Sequence, residues 1–384
     1  MAKFFSAIKK GFVDGFWKTF CVAWIWRTFL VLWIWQTFFV AWIWRTFCVA
    51  WIWQTFCVAW IHDAFFIKFV CKKLKFDKWK GWIYLSPAIV LLLIFTAWPI
   101  LNTLRMAFSE GYTTAKDLRG DTFNIGFANF TKVMDYPGFK TALKNTLLLC
   151  VLTVPISTAL ALLIAVCLNA IKPLQRLLQT IFFLPYVTNT IAIGMVFAAM
   201  FNVVGRVDDP NAIVGVVNNL LKLFGAKPID WINSSSSYGA NLVVLTIYIV
   251  WNALPFKILV LLGGLQSVNK QYYEAAKIDG TPRWRVFTRI TVPLLSPMIA
   301  YVVITGFIGG FKEYSSIIGI FGDNMSPPGA SMPGNSRWYT MVGYIYDNIE
   351  KQQGRAAAAA LILFAIIFVV TMINLYFSKK KTHY

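Results

Sequence analysis

Charge is scarce in this chain, and acid scarcer still: 36 Lys and Arg face 16 Asp and Glu, and charged residues of either sign make up only 14%. A soluble domain usually carries about 25% charged residues, so the deficit argues against an ordinary water-soluble globule. The two histidines, His62 and His383, lie far apart in the sequence, which leaves no His-based catalytic or metal cluster. The six cysteines (Cys21, Cys48, Cys57, Cys71, Cys150, Cys167) form no Cys-x-x-Cys pair and sit in or beside apolar runs, as small buried hydrophobes do. No G-x-x-x-x-G-K-[ST] phosphate loop occurs, and the nearest glycine cluster, 306–312, lies inside an apolar run. No catalytic residue, metal site or bound cofactor is therefore expected, and this chain is not expected to hydrolyse ATP. No small-residue cleavage site follows a short apolar core near the start, so no cleavable leader is expected.

What is present is apolar. Hydrophobic residues make up 58%, and mean hydropathy is +0.62. Six blocks have the length, about 20 residues, that spans hydrocarbon: 82–104, 147–169, 178–201, 242–265, 294–321 and 356–377. Prolines 99, 155, 185, 255 and 297 fall in or near them, which neighbouring helices or water can accommodate. The class expected is an all-α polytopic membrane protein. The formal net charge of +20 does not point to nucleic acid, because the basic residues lie between apolar blocks and not along an amphipathic face.

Basic residues also orient the spans. With the start of the first block on the cytoplasmic side, the inner segments are 71–81, 170–177, 266–292 and 378–384, holding 15 basic and three acidic residues. The outer segments, 105–141, 202–239 and 322–355, are longer and hold 11 basic and 10 acidic residues. Lys and Arg concentrate in short cytoplasmic loops, so the loop around Glu274 and the C-terminus are expected inside. The outer loops are rich in turn residues (Asp208-Asp209-Pro210, Ser326-Pro327-Pro328-Gly329, Pro333-Gly334) and could be simple connections or meet an extracytoplasmic partner.

The inner loop 266–293 carries the most specific pattern, beginning Glu274-Ala275-Ala276-Lys277-Ile278-Asp279-Gly280. Gly280 can stop a short helix in a left-handed conformation, and Thr281-Pro282 can start a second one. Ala275 and Ala276 would give a low face for close approach, with Glu274 and Asp279 answering basic groups on a partner. An amphipathic loop at the membrane surface would share these traits.

The spacing, however, resembles the EAA signature of bacterial ABC-importer permeases: Glu-Ala-Ala, three residues, Gly, nine residues, Ile, one residue, Leu-Pro. Gly280, Ile290 and Pro293 fall in register, and Val292 departs mildly from the pattern's Leu. Phe182-Phe183-Leu184-Pro185, Trp251-Asn252 and Gly343-Tyr344-Ile345-Tyr346 extend the likeness over about 82–377, and it is similar to the carbohydrate-uptake branch, in particular to the larger permease of the maltose importer. That resemblance implies a six-helix type I importer core, with or without two further N-terminal spans, in the bacterial inner membrane. It implies that Glu274, Ala275, Ala276, Asp279 and Gly280 engage a separate ATPase subunit, which uses the ATP. It also implies a second permease subunit, two ATPase subunits and an extracytoplasmic solute-binding protein as partners.

Sugars suit aromatic faces with amide or carboxylate acceptors for their hydroxyls. The fourth block offers Trp251, Asn252 and Phe256; the fifth offers Gly306, Gly309, Gly310, Lys312, Glu313 and Tyr314. The same glycines would also permit close helix packing, with Lys312 and Glu313 near the outer interface. By position in the family, the lining candidates are Asn252, Ala253, Phe256, Gly306, Gly309, Gly310 and Glu313. The glycines would leave more room than the maltose-type member has, which suits a larger oligosaccharide. The rival substrates within this architecture are a polyol phosphate or a peptide. A secondary transporter fits less well, since paired intramembrane acids are missing.

Residues 19–63 stand outside the resemblance. They are five tandem nonapeptides, TFCVAWIWR, TFLVLWIWQ, TFFVAWIWR, TFCVAWIWQ and TFCVAWIHD. As one helix they would run about 68 Å, over twice the hydrocarbon thickness. A hairpin of two short spans or a Trp-rich helix lying on the membrane both remain open. The expected division is an extension, 1–71, and a permease domain, 72–384.

Overall fold

The computed structural model describes residues 80–381 apart from 172–174, 206, 208, 210–212 and 329–335. The repeats at 19–63 and the whole 1–71 extension lie outside the described residues, as do the turn residues Asp208, Pro210, Gly329, Pro333 and Gly334.

The chain divides after Phe95 into two units. In the first, the described residues, 80–95, begin with α1, Lys80–Leu92, whose side chains Trp82, Leu85, Val90 and Leu91 are all exposed. Such a helix presents its apolar surface outward, as lipid requires. The helical path continues through a wide turn, Leu93–Ala97, just before Pro99, whose ring cannot take part in the regular ladder.

In the second unit, α2 (Trp98–Phe108) leads to two short helices, α3 (Thr114–Leu118) and α4 (Ala128–Asp135). The long α5 (Pro137–Ala170) follows, then α6 (Gln175–Val187) and α7 (Thr190–Phe201). A two-residue antiparallel pair, β1 (Val203–Val204) with β2 (Ile213–Val214), and α8 (Val216–Leu223) precede the second long helix, α9 (Tyr238–Ser267). The polar loop contributes α10 (Lys270–Ile278), α11 (Arg283–Val286) and α12 (Val292–Leu294). The chain ends in α13 (Ser296–Phe311), α14 (Ser315–Phe321), α15 (Met341–Ile349) and α16 (Gln353–Lys381).

The fold is helical, but two of the six expected blocks are not single helices. Among the described residues, four stretches are long and apolar enough to cross a membrane: Leu85–Phe108, Pro137–Ala170, Tyr238–Ser267 and Gln353–Ser378. The block expected at 178–201 is instead two helices bent by 99°, and the one expected at 294–321 is entered through a 68° bend and broken again after Phe311. The first bend has a local cause. Pro185 lies in the last turn of α6, and the Asn189 side chain caps α7 by accepting from the Ile191 and Ala192 N–H groups at 2.9 and 3.2 Å. The two bent pairs bring the crossings to as many as six.

Two apolar clusters hold the second unit together along α5 and α9. One gathers Leu149, Val154, Val244, Leu245, Tyr248, Phe311 and Trp338. The other gathers Ala161, Ala165, Leu168, Ile258, Leu261, Leu265, Leu295 and Val302. A polar knot pins the first. Asn145 donates to the carbonyls of Arg337 and Tyr339 at 3.0 and 2.9 Å and accepts from the Tyr238 hydroxyl, while Tyr238 stacks on Trp338 at 4.5 Å. Trp338 is fully buried, and its indole N–H donates to Asn241 at 3.2 Å.

Candidate functional site

A cavity of ≈ 300 Å³ opens between the two clusters, lined by four helices and the turn after α13. Helix α9 supplies Ile249, Asn252, Ala253, Phe256 and Lys257. Their spacing of three and four residues puts them on one face. Helix α5 supplies Thr153, Val154 and Ser157; α13 supplies Thr305, Gly306, Gly309 and Gly310; Tyr186 comes from α6 and Glu313 follows α13. Thr153 and Asn252 fall at the middle of α5 and α9. The cavity therefore lies halfway along both spans. Pro155 and Pro255 each remove a backbone N–H at this level.

All seven residues read from sequence as lining candidates, Asn252, Ala253, Phe256, Gly306, Gly309, Gly310 and Glu313, border this one cavity. Their surroundings divide the glycines. A Cβ on Gly309 would meet nothing within 4 Å, so this glycine faces open space. A Cβ on Gly306 would lie 3.1 Å from both Lys257 Nζ and Val154 Cγ1, and one on Gly310 would lie 2.9 Å from Cys150 Sγ. Those two glycines mainly let neighbouring side chains approach, so the expectation that all three make room for a ligand is corrected to Gly309 alone. The other aromatics of the same stretches turn elsewhere: Trp251 packs on Phe197 at 5.1 Å, and Tyr314 stacks on Tyr346 at 4.8 Å. Lys312 is exposed, while Glu313 is half-buried and accepts from the Ser316 N–H at 3.1 Å.

Sequence reading missed Lys257. It is 4% exposed, and its ammonium donates to Ser157 Oγ at 2.6 Å, Thr158 Oγ1 at 3.0 Å and the Val154 carbonyl at 3.3 Å. Inserting a cation at the centre of a spanning helix costs on the order of 3 kcal/mol, so a lysine inside the otherwise apolar run Leu254–Leu262 was the available signal. Tyr186 was missed too; its ring stacks on Phe256 at 6.2 Å and forms an aromatic wall. Only its neighbour Pro185 marked the place.

The polar loop is a second, separate feature. Helix α10 ends in a closed turn: the Thr281 N–H donates to Ala276 O at 2.9 Å and the Gly280 N–H to Lys277 O at 3.2 Å, with Gly280 at φ +63°. This is the glycine-terminated helix end in which the amide after the glycine reaches back five residues. Thr281 thus closes the first helix and does not cap the second, as had been expected; the Pro282 carbonyl starts α11 by accepting from Arg285 and Val286. Glu274, Ala275, Asp279 and Gly280 are exposed, and so are Ile278 (86%) and Trp284 (71%). Ala276 is the exception: at 5% exposure it faces the protein and not the open side that it was expected to share with Ala275.

Residues 157–383 match the family described as binding-protein-dependent transport system inner membrane component. The chain is 30% identical, over 77% of its length and 91% of the relative's, to the lactose transport system permease protein LacF of Rhizobium radiobacter. It is 29% identical, over 77% of its length and 87% of the relative's, to the arabinooligosaccharides transport system permease protein AraP of Bacillus subtilis (strain 168). A crystal structure of a bacterial ABC transporter involved in import of the acidic polysaccharide alginate has the same fold, with a TM-score of 0.64 at 24% identity over 82% of this chain and 99% of that one.

Proposed function

We propose, because this chain belongs to the family of binding-protein-dependent transport system inner-membrane components, that it forms the pore through which an ATP-driven importer passes a sugar or oligosaccharide. As a family member it is a multi-pass transport component and not an enzyme. The observation that carries the sugar reading is the cavity halfway along α5 and α9, where the Tyr186–Phe256 wall faces a set of polar groups. Aromatic faces pack on sugar rings, and amides and carboxylates take the hydroxyls. Relatives named for lactose and arabino-oligosaccharides support the same class.

In this reading residues 72–384 form the transporting domain and 1–71 an added segment. The loop 266–293 and the C-terminus face the cytoplasm, where Glu274, Ala275, Asp279 and Gly280 meet an ATPase subunit and Ala276 holds the turn from within. A second permease subunit, a second ATPase subunit and an extracytoplasmic binding protein complete the importer. Closure of the ATPases moves α10 and switches the cavity between the two sides of the membrane.

Gly309→Phe tests the cavity directly. A Cβ there meets nothing within 4 Å, so the new side chain starts from open space beside the cavity and narrows the passage. Losing about 1.4 kcal/mol of ligand binding to the narrowed passage lowers occupancy about tenfold. Uptake of oligosaccharides into proteoliposomes of the whole importer should fall by about that factor, and Glu313→Ala should weaken uptake as well. Wild-type uptake in both variants would remove these residues from the path.

A further inference from the structure

The buried ammonium of Lys257 has hydrogen-bond partners but no counter-charge. Its three N–H groups are taken by two hydroxyls and a carbonyl, all neutral. Among the described residues the ion pair Arg105–Asp117 is the one found, and it lies far from this site in the chain. Hydrogen bonds satisfy the donors of an ammonium, yet its charge still lacks an opposite partner in a medium of low dielectric. Glu313 borders the same cavity but forms no ion pair with Lys257. Lys257 packs at Gly306, and Glu313 lies seven residues further on, two residues past the end of α13. Its carboxylate is engaged by the Ser316 N–H. The cavity is thus polarised, with a cation at one end and a carboxylate at the other.

We propose that Lys257 makes this cavity select sugars bearing an acidic group, a carboxylate of the uronic-acid type, which sits against the ammonium while neutral hydroxyls face Glu313. The 3.3 Å bond to the Val154 carbonyl is the longest of the three, and it is the one a carboxylate would replace. Gly306 is part of the device, since a Cβ there would press on the ammonium at 3.1 Å. A neutral sugar gains nothing from this charge and leaves it buried and unpaired.

This inference rests on the sugar-importer reading, and the experiment separates the two. Uronic-acid trisaccharides of several linkages and their carboxyl-reduced, neutral counterparts are offered to the complete importer in proteoliposomes. The readout is the ratio of acidic to neutral uptake for each matched pair. Wild type should favour the acidic member of at least one pair. Lys257→Met, which keeps length without charge, should lower that ratio at least about tenfold, the loss expected when one partner of a buried charge pair is removed. Lys257→Arg, which keeps the charge, should restore most of it, and this guards against a ratio lost through misfolding. Wild-type uptake of neutral members alone, or an unchanged ratio in Lys257→Met, overturns the selection by charge and leaves the sugar reading standing. Uptake of neither set overturns both.

Discussion

Cells carrying Glu274→Lys or Gly280→Asp should hold the protein in their membranes at normal levels and take up no sugar. The first half of that expectation follows from exposure. Glu274 and Gly280 are both on the outside of the loop, and a Cβ at Gly280 would meet nothing within 4 Å. At φ +63° a residue other than glycine costs about 1 kcal/mol, and Asp is among the better tolerated. The permease itself therefore survives either change. The second half follows from what the loop presents. Helix α10 ends in a rigid closed turn beside the exposed side chains Ile278 and Trp284. An exposed apolar surface of that kind marks a contact with another protein or with the membrane surface, and in the proposed function it falls to the ATPase. Reversing the charge at Glu274, or placing a carboxylate at the bare tip, should disrupt that contact. Co-purification of the ATPase with each variant and sugar uptake by the same cells provide the measurement. Normal association together with normal uptake would exclude this loop as the coupling element.

Much of the architecture could be read from the residues because lipid imposes simple demands. The blocks at 147–169 and 242–265 lie within α5 and α9, and the structure only lengthens them, to Pro137–Ala170 and Tyr238–Ser267. The added turns are richer in polar residues, such as Lys140, Lys144, Asn145 and Asn241, so the apolar signal stops before the helix does. The bends were missed because hydropathy has no direction: 178–201 is apolar on average, and Thr188-Asn189-Thr190 reads as a tolerable polar patch until the Asn189 side chain is seen capping a new helix. In the site, positional resemblance brought out seven residues from α9, α13 and the turn after it, the elements flanking the loop that carries the recognised spacing. It named no lining residue on α5 or α6: Ser157 has no motif, and on α6 the quoted Phe182–Pro185 stops one residue short of Tyr186. It also passed over Lys257, whose importance comes from burial among neutral groups on a different helix. Sequence spacing finds residues that share a helix; the partners contributed by a distant helix become visible only in three dimensions.

The glycine with the largest consequence for assembly was singled out by neither motif nor periodicity. Gly194 of α7 and Gly319 of α14 meet backbone to backbone: a Cβ on Gly194 would lie 2.7 Å from the Gly319 Cα, and one on Gly319 would lie 2.9 Å from the Gly194 Cα. Backbone atoms cannot rotate aside as a side chain can, so any larger residue must push the two helices apart. Helix α7 is also held by the Tyr248 hydroxyl, which donates to the Thr190 carbonyl, by Phe197 between Tyr248 and Trp251 at 4.9 and 5.1 Å, and by the buried Phe201 against Trp231 at 5.7 Å. Displacing α14 would carry the effect into the cavity, because Glu313 lies two residues before its first residue and holds the Ser316 N–H. Gly194→Ala should cost about 1–3 kcal/mol, the usual range for overpacking, and Gly194→Leu should exceed that range and leave little assembled importer. Gly309→Ala supplies the contrast, since its new methyl group enters open space, and it should be folded and close to wild type in stability. Thermal unfolding of the detergent-solubilised importer, with the amount of permease recovered from the membrane, measures all three. If Gly194→Leu unfolded at the wild-type temperature and was recovered in full, α7 and α14 could not be in backbone contact, and the bent pair α6–α7 would need another support.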